Sequence, residues 1–274
     1  MIRYVVDSEK QYKEELLLHL RAHNDLYVLD KTDDSKYIYV YEEDELIGFA
    51  FTSYGWNWVS FEKLFYSSID GLKALISETV ALFKDKASGY KMYSKDKDRI
   101  KDLLHAGFEK VGTMPGTKRT GDFSCLNIAN LQFQFEHTFK VKMFDKELEV
   151  HKNLISSYTK EYELKNKLDV LQEEVLYAAV EGEQYCGGVL FEVYQEYIHV
   201  HLISVKKEYE RYGIGTALMK YVEEYAMNLG LESIDLGTTG FQAKPFYEKL
   251  GYEVVFTREN YPIGYNCYTL YKKL

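Results

Sequence analysis

Val205-Lys206-Lys207-Glu208-Tyr209-Glu210-Arg211-Tyr212-Gly213-Ile214-Gly215-Thr216-Ala217-Leu218 joins three pieces: the end of an apolar strand, a polar loop, and a Gly-x-Gly opening an amphipathic helix. Glycine lets backbone amides approach a ligand closely and adopts φ > 0 without a Cβ clash. The first turn of a helix carries N–H groups with no intrahelical partner and the positive end of the dipole, so it favours an anion. A pyrophosphate is a natural occupant. Gly-x-Gly alone also serves turns and tight packing, so a second signal is needed.

That signal follows about thirty residues on, after an intervening strand at Ser233 to Leu236. Ala243-Lys244-Pro245-Phe246-Tyr247-Glu248-Lys249-Leu250-Gly251-Tyr252 reads as a short helix stopped by glycine, followed by an aromatic. A dinucleotide-binding oxidoreductase would explain Gly213 and Gly215 but not this second stretch. The two motifs in this order resemble the GNAT superfamily of acyl-CoA-dependent N-acyltransferases. The resemblance covers Leu176 to Leu274 well and the first half in outline.

The resemblance implies specific roles. The amides of Arg211, Tyr212, Gly213, Ile214, Gly215 and Thr216 hold the CoA pyrophosphate. Ile203, Ser204 and Val205 offer backbone to the pantetheine arm. Phe246 flanks the site, and Tyr247 is the acid that protonates the departing thiolate. Two positions depart from the family pattern. Glu210 stands at the usual Gln/Arg position and is expected to turn to solvent. Gly240 stands where the family often has Asn, with Gln242 a substitute. A proton acceptor is also required, because an amine attacks only when neutral. The family's acid on the central strand falls close to His201 in Ile198-His199-Val200-His201-Leu202; Glu192 and Glu196 are alternatives, and a structural histidine is the competing reading. Cys186 reads as core. No metal site is expected, since His199 and His201 have no third ligand in view.

Outward from these motifs, the chain repeats itself. Leu103 to Val111 mirrors Tyr247 to Val255, and Leu46 to Phe49 falls where Tyr185 to Gly188 falls. The first half reads as strand Ile2 to Val6, helix Ser8 to Ala22, strands Lys36 to Tyr41, Leu46 to Tyr54 and Asn57 to Leu64, helix Gly71 to Lys84, and a β-α-β-β tail to Ile128. The second half repeats that order: strand Phe139 to Phe144, a helical region from Lys146 to about Lys167, then strands and helices to Tyr271. The expected fold is α/β (α+β): two tandem GNAT-like folds, each a mixed, mostly antiparallel sheet flanked by helices. The expected division is a degenerate domain at 1–133 and an acetyl-CoA-binding domain at 134–274, with the seam near Gln132 to Glu136. The first copy lacks Gly-x-Gly, has Asp70 near the would-be anion site and Leu103 at the tyrosine position. Trp56 and Trp58 read as core, as interface packing or as the wall of an acceptor cleft, and Tyr261 to Asn266 as a simple turn or a loop that shapes the acceptor pocket.

Bulk properties bound the function. The chain has 274 residues, net charge -9 and 46% apolar residues, enough for packed cores. An acidic chain is a poor nucleic-acid binder. The three cysteines are widely spaced, without C-x-x-C, which argues against disulfides or zinc. The N-terminus lacks an apolar signal core and no run suits a membrane helix, so a cytoplasmic monomer or homodimer is expected. Together these readings imply an N-acetyltransferase moving an acetyl group from acetyl-CoA to the amine of a small molecule or peptide, by direct attack in a ternary complex. The alternative is an acyl-CoA-binding sensor or scaffold without turnover.

Overall fold

The computed structural model describes residues 1–24, 26, 34–115, 122–128, 130–146, 173–194 and 196–274. They form two compact units. The first comprises Met1–Leu29, Asp169–Asn260 and Tyr265–Leu274; the second comprises Asp30–Leu168 and Tyr261–Gly264. Each is built on a seven-stranded sheet.

The first unit's sheet contains β1 (Ile2–Val6), β9 (Glu173–Glu181), β10 (Gln184–Val193), β11 (Tyr197–Val205), β12 (Ser233–Thr239), β13 (Glu253–Arg258) and β14 (Cys267–Lys273), in the order β1-β9-β10-β11-β12-β14-β13. The second unit's sheet contains β2 (Asp34–Glu42), β3 (Glu45–Gly55), β4 (Trp58–Tyr66), β5 (Gly89–Ser94), β6 (Phe108–Met114), β7 (Phe123–Ile128) and β8 (Lys140–Phe144), in the order β8-β2-β3-β4-β5-β7-β6. Position for position, the two orders correspond. All pairings are antiparallel except one in each sheet, β11–β12 and β4–β5. The expected class, two mixed and mostly antiparallel sheets with flanking helices, is what the chain adopts.

The expected division at 1–133 and 134–274 is corrected by strand pairing. β1 joins β9 in the first unit, from Ile2 opposite Glu181 to Val6 opposite Tyr177. β8 joins β2 in the second, from Tyr37 opposite Phe144 to Tyr41 opposite Lys140. Each repeat of the sequence therefore gives its opening strand to the sheet of the other repeat. Both are short strands of five residues, too short to carry a pattern that selects a partner. Local pattern specifies that a strand forms and which face it buries, not which edge it joins. The stretch from Gln132 to Glu136, expected to hold the seam, packs with Phe139 on the second unit's core: Phe133, Phe135 and Phe139 lie against it, and the Phe135 N–H donates to Ser77 Oγ at 3.0 Å. The helical region expected at 146–167 lies almost wholly outside the described residues.

Helix α1 (Lys13–Asn24) follows β1 into the first unit. It starts later than the Ser8 expected from sequence because the Asp7 carboxylate accepts from the amides of Gln11 and Tyr12, at 3.1 and 2.8 Å, and holds a turn ahead of the helix. Leu16 on α1 is fully buried with Leu176, Ala178, Val180, Tyr185 and Leu190. On the opposite face, α4 (Ile214–Asn228) buries Leu218, Met219, Val222 and Ala226 against the sheet. Its apolar residues recur every three to four positions, as a helix facing a sheet requires. α5 (Lys244–Lys249) begins with proline in its first turn. The second unit holds α2 (Ile69–Phe83) and α3 (Lys97–His105) in the places of α4 and α5.

Candidate active site

β11 and β12 pair only from Tyr197 opposite Ser233 to Val200 opposite Leu236. Beyond that the strands part, while β10 follows β11 to Gly187 opposite Val205. Residues 201–205 thus present one backbone edge with no ladder partner in the sheet. A Cβ on Gly187 would lie 2.9 Å from the Ser204 carbonyl, so only glycine lets the strands meet here.

A cleft of about 580 Å³ opens at this splay. Of the sequence-predicted residues, His201, Ile203, Ser204, Val205, Gln242 and Tyr247 line it. Phe246 and the loop from Arg211 to Thr216 do not line it. Phe246 is half-buried beside Tyr247, its ring 5.1 Å away and roughly perpendicular. Glu210, expected to face only solvent, is exposed and also lines the cleft, with Lys207. Sequence reasoning missed the wall formed by His19, Leu20, Ala22 and His23 of α1 and by Leu26 beyond its end. The two histidines lie one helical turn apart on α1.

The loop before α4 has the backbone that an anion cradle needs. Arg211 has φ 67° and Gly213 has φ 82°, both left-handed. Gly213 is the N-cap of α4, and no described side chain caps the helix there. No acidic residue occupies the first turn. The N–H groups of the first turn therefore remain available to an anion, with the helix dipole behind them. The second unit has closed the matching place. Ser68 caps α2, its hydroxyl accepting from Gly71 N–H at 3.1 Å, and Asp70 stands in the first turn.

Bulge geometry brings the polar groups together. Leu190 pairs with Leu202 and Phe191 with Val200, which leaves His201 as an extra residue on β11. The bulge exchanges the two faces of the strand: Ile198 and Val200 pack with α4 before it, Ile203 and Val205 after it, and Leu202 packs with Leu16 of α1. His201 Nε2 lies 2.6 Å from Glu192 Oε2. Tyr194 Oη donates to the same carboxylate oxygen at 2.8 Å. Burial opposes the charge on Glu192, yet the bonds from His201 and Tyr194 hold its pKa below the usual value. Glu196, the other alternative base, is a half-buried residue outside the lining.

Tyr247 is 5% exposed, and burial pushes its hydroxyl well above the ordinary phenol pKa, so it stays protonated. Gln242 Oε1 accepts from Thr239 N–H at 2.9 Å, and its Nε2 donates to Asn24 Oδ1 at 2.8 Å, tying the end of β12 to α1. Gly240 sits beside it, its N–H donating to the Asn266 carbonyl at 2.9 Å. Cys186 is buried, as expected of a core residue. No group of three or more metal-ligating side chains occurs among the described residues. None of their helices is long and apolar enough to cross a membrane.

A family model described as the acetyltransferase (GNAT) family matches residues 142–252. Blasticidin-S acetyltransferase of Streptomyces morookaense is 30% identical over 105 residues, which span 38% of this chain and 77% of that protein. The chain belongs to the GNAT acetyltransferase family. Among solved structures, an acetyltransferase from Bacillus cereus ATCC 14579 is similar at 25% identity and TM-score 0.43, over 48% of this chain and 98% of that one. A GNAT family acetyltransferase from Elizabethkingia anophelis with acetyl-CoA bound is similar at 20% identity and TM-score 0.33, over 46% and 85%. The matched family span starts within β8 and omits β1 and α1, which complete this GNAT unit.

Proposed function

We propose that the first unit is an N-acetyltransferase that takes the acetyl group of acetyl-CoA to a primary amine of a small molecule or peptide. The observation that carries this is the conjunction of an uncapped α4 N-terminus, an unpaired edge on residues 201–205, and a cleft holding His201 and Tyr247. The pyrophosphate of the substrate fits the amides of 211–216, and its pantetheine arm fits the edge of Ile203, Ser204 and Val205. The blasticidin relative, whose name gives a small-molecule acceptor, supports this class of acceptor.

In the proposed reaction, the amine nitrogen attacks the thioester carbonyl within a ternary complex. The N–C bond forms and the C–S bond breaks. His201, held by Glu192, accepts the amine proton, directly or through one water. Tyr247 donates its phenol proton to the leaving thiolate. Gln242 fixes the β12 end of the cleft against α1. The second unit, with its α2 N-terminus capped by Ser68, is proposed as a copy that does not bind CoA.

One observation favours binding without turnover: Glu210 lines the cleft just ahead of the anion cradle, where its charge opposes a pyrophosphate. Release of free thiol from acetyl-CoA in the presence of an amine panel separates the two readings. The proposal expects thiol release that depends on both the amine and His201. Binding of acetyl-CoA with no release for any amine supports the sensor.

A further inference from the structure

The reading of His201 as proton acceptor leaves a second imidazole–carboxylate pair unused. His199 and Asp235 sit directly opposite each other across β11 and β12, at the last stretch before the strands part. His199 Nδ1 is 2.6 Å from Asp235 Oδ1. Its ring centroid is 4.6 Å from that of His201, with the rings nearly perpendicular. His199 also stands opposite Glu192 in the β10–β11 register, the carboxylate that holds His201. Two imidazoles and two carboxylates therefore form one connected group at the mouth of the splay.

We propose that His199 and Asp235 are positioning residues that keep His201 the neutral, proton-accepting member of this group. The proposal rests on the catalytic reading above. The Asp235 bond favours the charged form of His199, and a cation in ring contact with His201 disfavours a second proton there. Without it, the bond to Glu192 is left unopposed, and a bound carboxylate favours an imidazolium, which cannot accept a proton. Burial opposes the charge on His199, but the bond and charge of Asp235, with Glu192, outweigh it and raise its pKa.

The other titratable groups facing the cluster come from every packed element. β10 and the residue after it bring Glu192 and Tyr194. β14 brings Tyr271 opposite Asp235. α1 brings His19 and His23 to the shared cleft, and α5 brings Tyr247. Asp235 is the group among them bonded to His199, which makes it the handle for the test.

The test follows histidine ring nitrogens by long-range proton–nitrogen NMR on the full-length chain against pH, assigned with His199→Gln and His201→Gln. His199→Gln is expected to raise the titration midpoint of His201 by about one pH unit, the size of a solvent-screened neighbouring charge in a partly exposed site. Asp235→Asn is expected to lower the midpoint of His199 and to raise that of His201 by less. His199→Arg, which restores a cation, returns His201 toward its original midpoint. A His201 midpoint that is unmoved or lowered in His199→Gln overturns the proposal. So does an unmoved His199 in Asp235→Asn, which also carries the test alone if His199→Gln does not fold. The catalytic reading fails by a different result: unchanged turnover in His201→Gln.

Discussion

Tyr247 is the residue whose role is most sharply set by its surroundings. Burial holds its hydroxyl protonated, so it can serve as an acid but never as a base at neutral pH. Tyr247→Phe keeps the ring packing and removes one proton donor. Turnover should fall by about 10²-fold, the lower range for a general acid, while coenzyme A affinity measured by calorimetry stays unchanged. A parallel loss of affinity would make Tyr247 a binding group instead. His199 makes a stability prediction with a definite sign. Its folded pKa is raised, so its contribution is fully present below the unfolded value, about 6.5, and disappears as pH rises through the folded value. The melting-temperature difference between the native chain and His199→Gln should therefore be larger near pH 5.5 than near pH 9. An equal difference at both pH values would contradict the ion pair with Asp235.

At the scale of elements, the α4 N-terminus is the feature to perturb. Gly213 caps it at φ 82°, and a Cβ there meets nothing within 4 Å, so any cost of Gly213→Ala is conformational and not a clash. That cost is about 1–2 kcal/mol for a left-handed non-glycine residue. Because the same backbone forms the anion cradle, coenzyme A affinity should drop about tenfold. Loss of stability without loss of affinity would move the anion site elsewhere. Glu210→Gln tests the neighbouring charge and should tighten coenzyme A binding at low salt, with less effect at high salt. These elements were legible in sequence because strand, glycine and helix signals are local and reinforce one another. The bulge at His201 was not, since it depends on the register between β10 and β11, which no single stretch encodes. That register is also why Glu192 and His201 meet, and why the two histidines share a cluster with Asp235.

The whole molecule departs furthest from its sequence pattern. Two copies of one fold are plain in the repeat, but the exchange of β1 and β8 between the sheets is invisible to local periodicity, which does not specify the edge a strand joins. Residues 134–274 therefore do not contain the whole of the first unit. They lack β1, the partner of β9, and α1, whose Leu16 closes a cluster with Leu176, Ala178, Val180, Tyr185 and Leu190. A chain of residues 134–274 should lose its cooperative melt in circular dichroism, and co-expression with residues 1–29 should restore it. A cooperative melt by 134–274 alone would contradict the exchanged strands. The most direct test of the whole account is calorimetric titration of the full chain with coenzyme A. One bound molecule per chain, weakened about tenfold in Gly213→Ala and untouched by Ser68→Ala in the second unit, is the predicted result. No binding, or two molecules per chain, would contradict a single anion cradle at the start of α4.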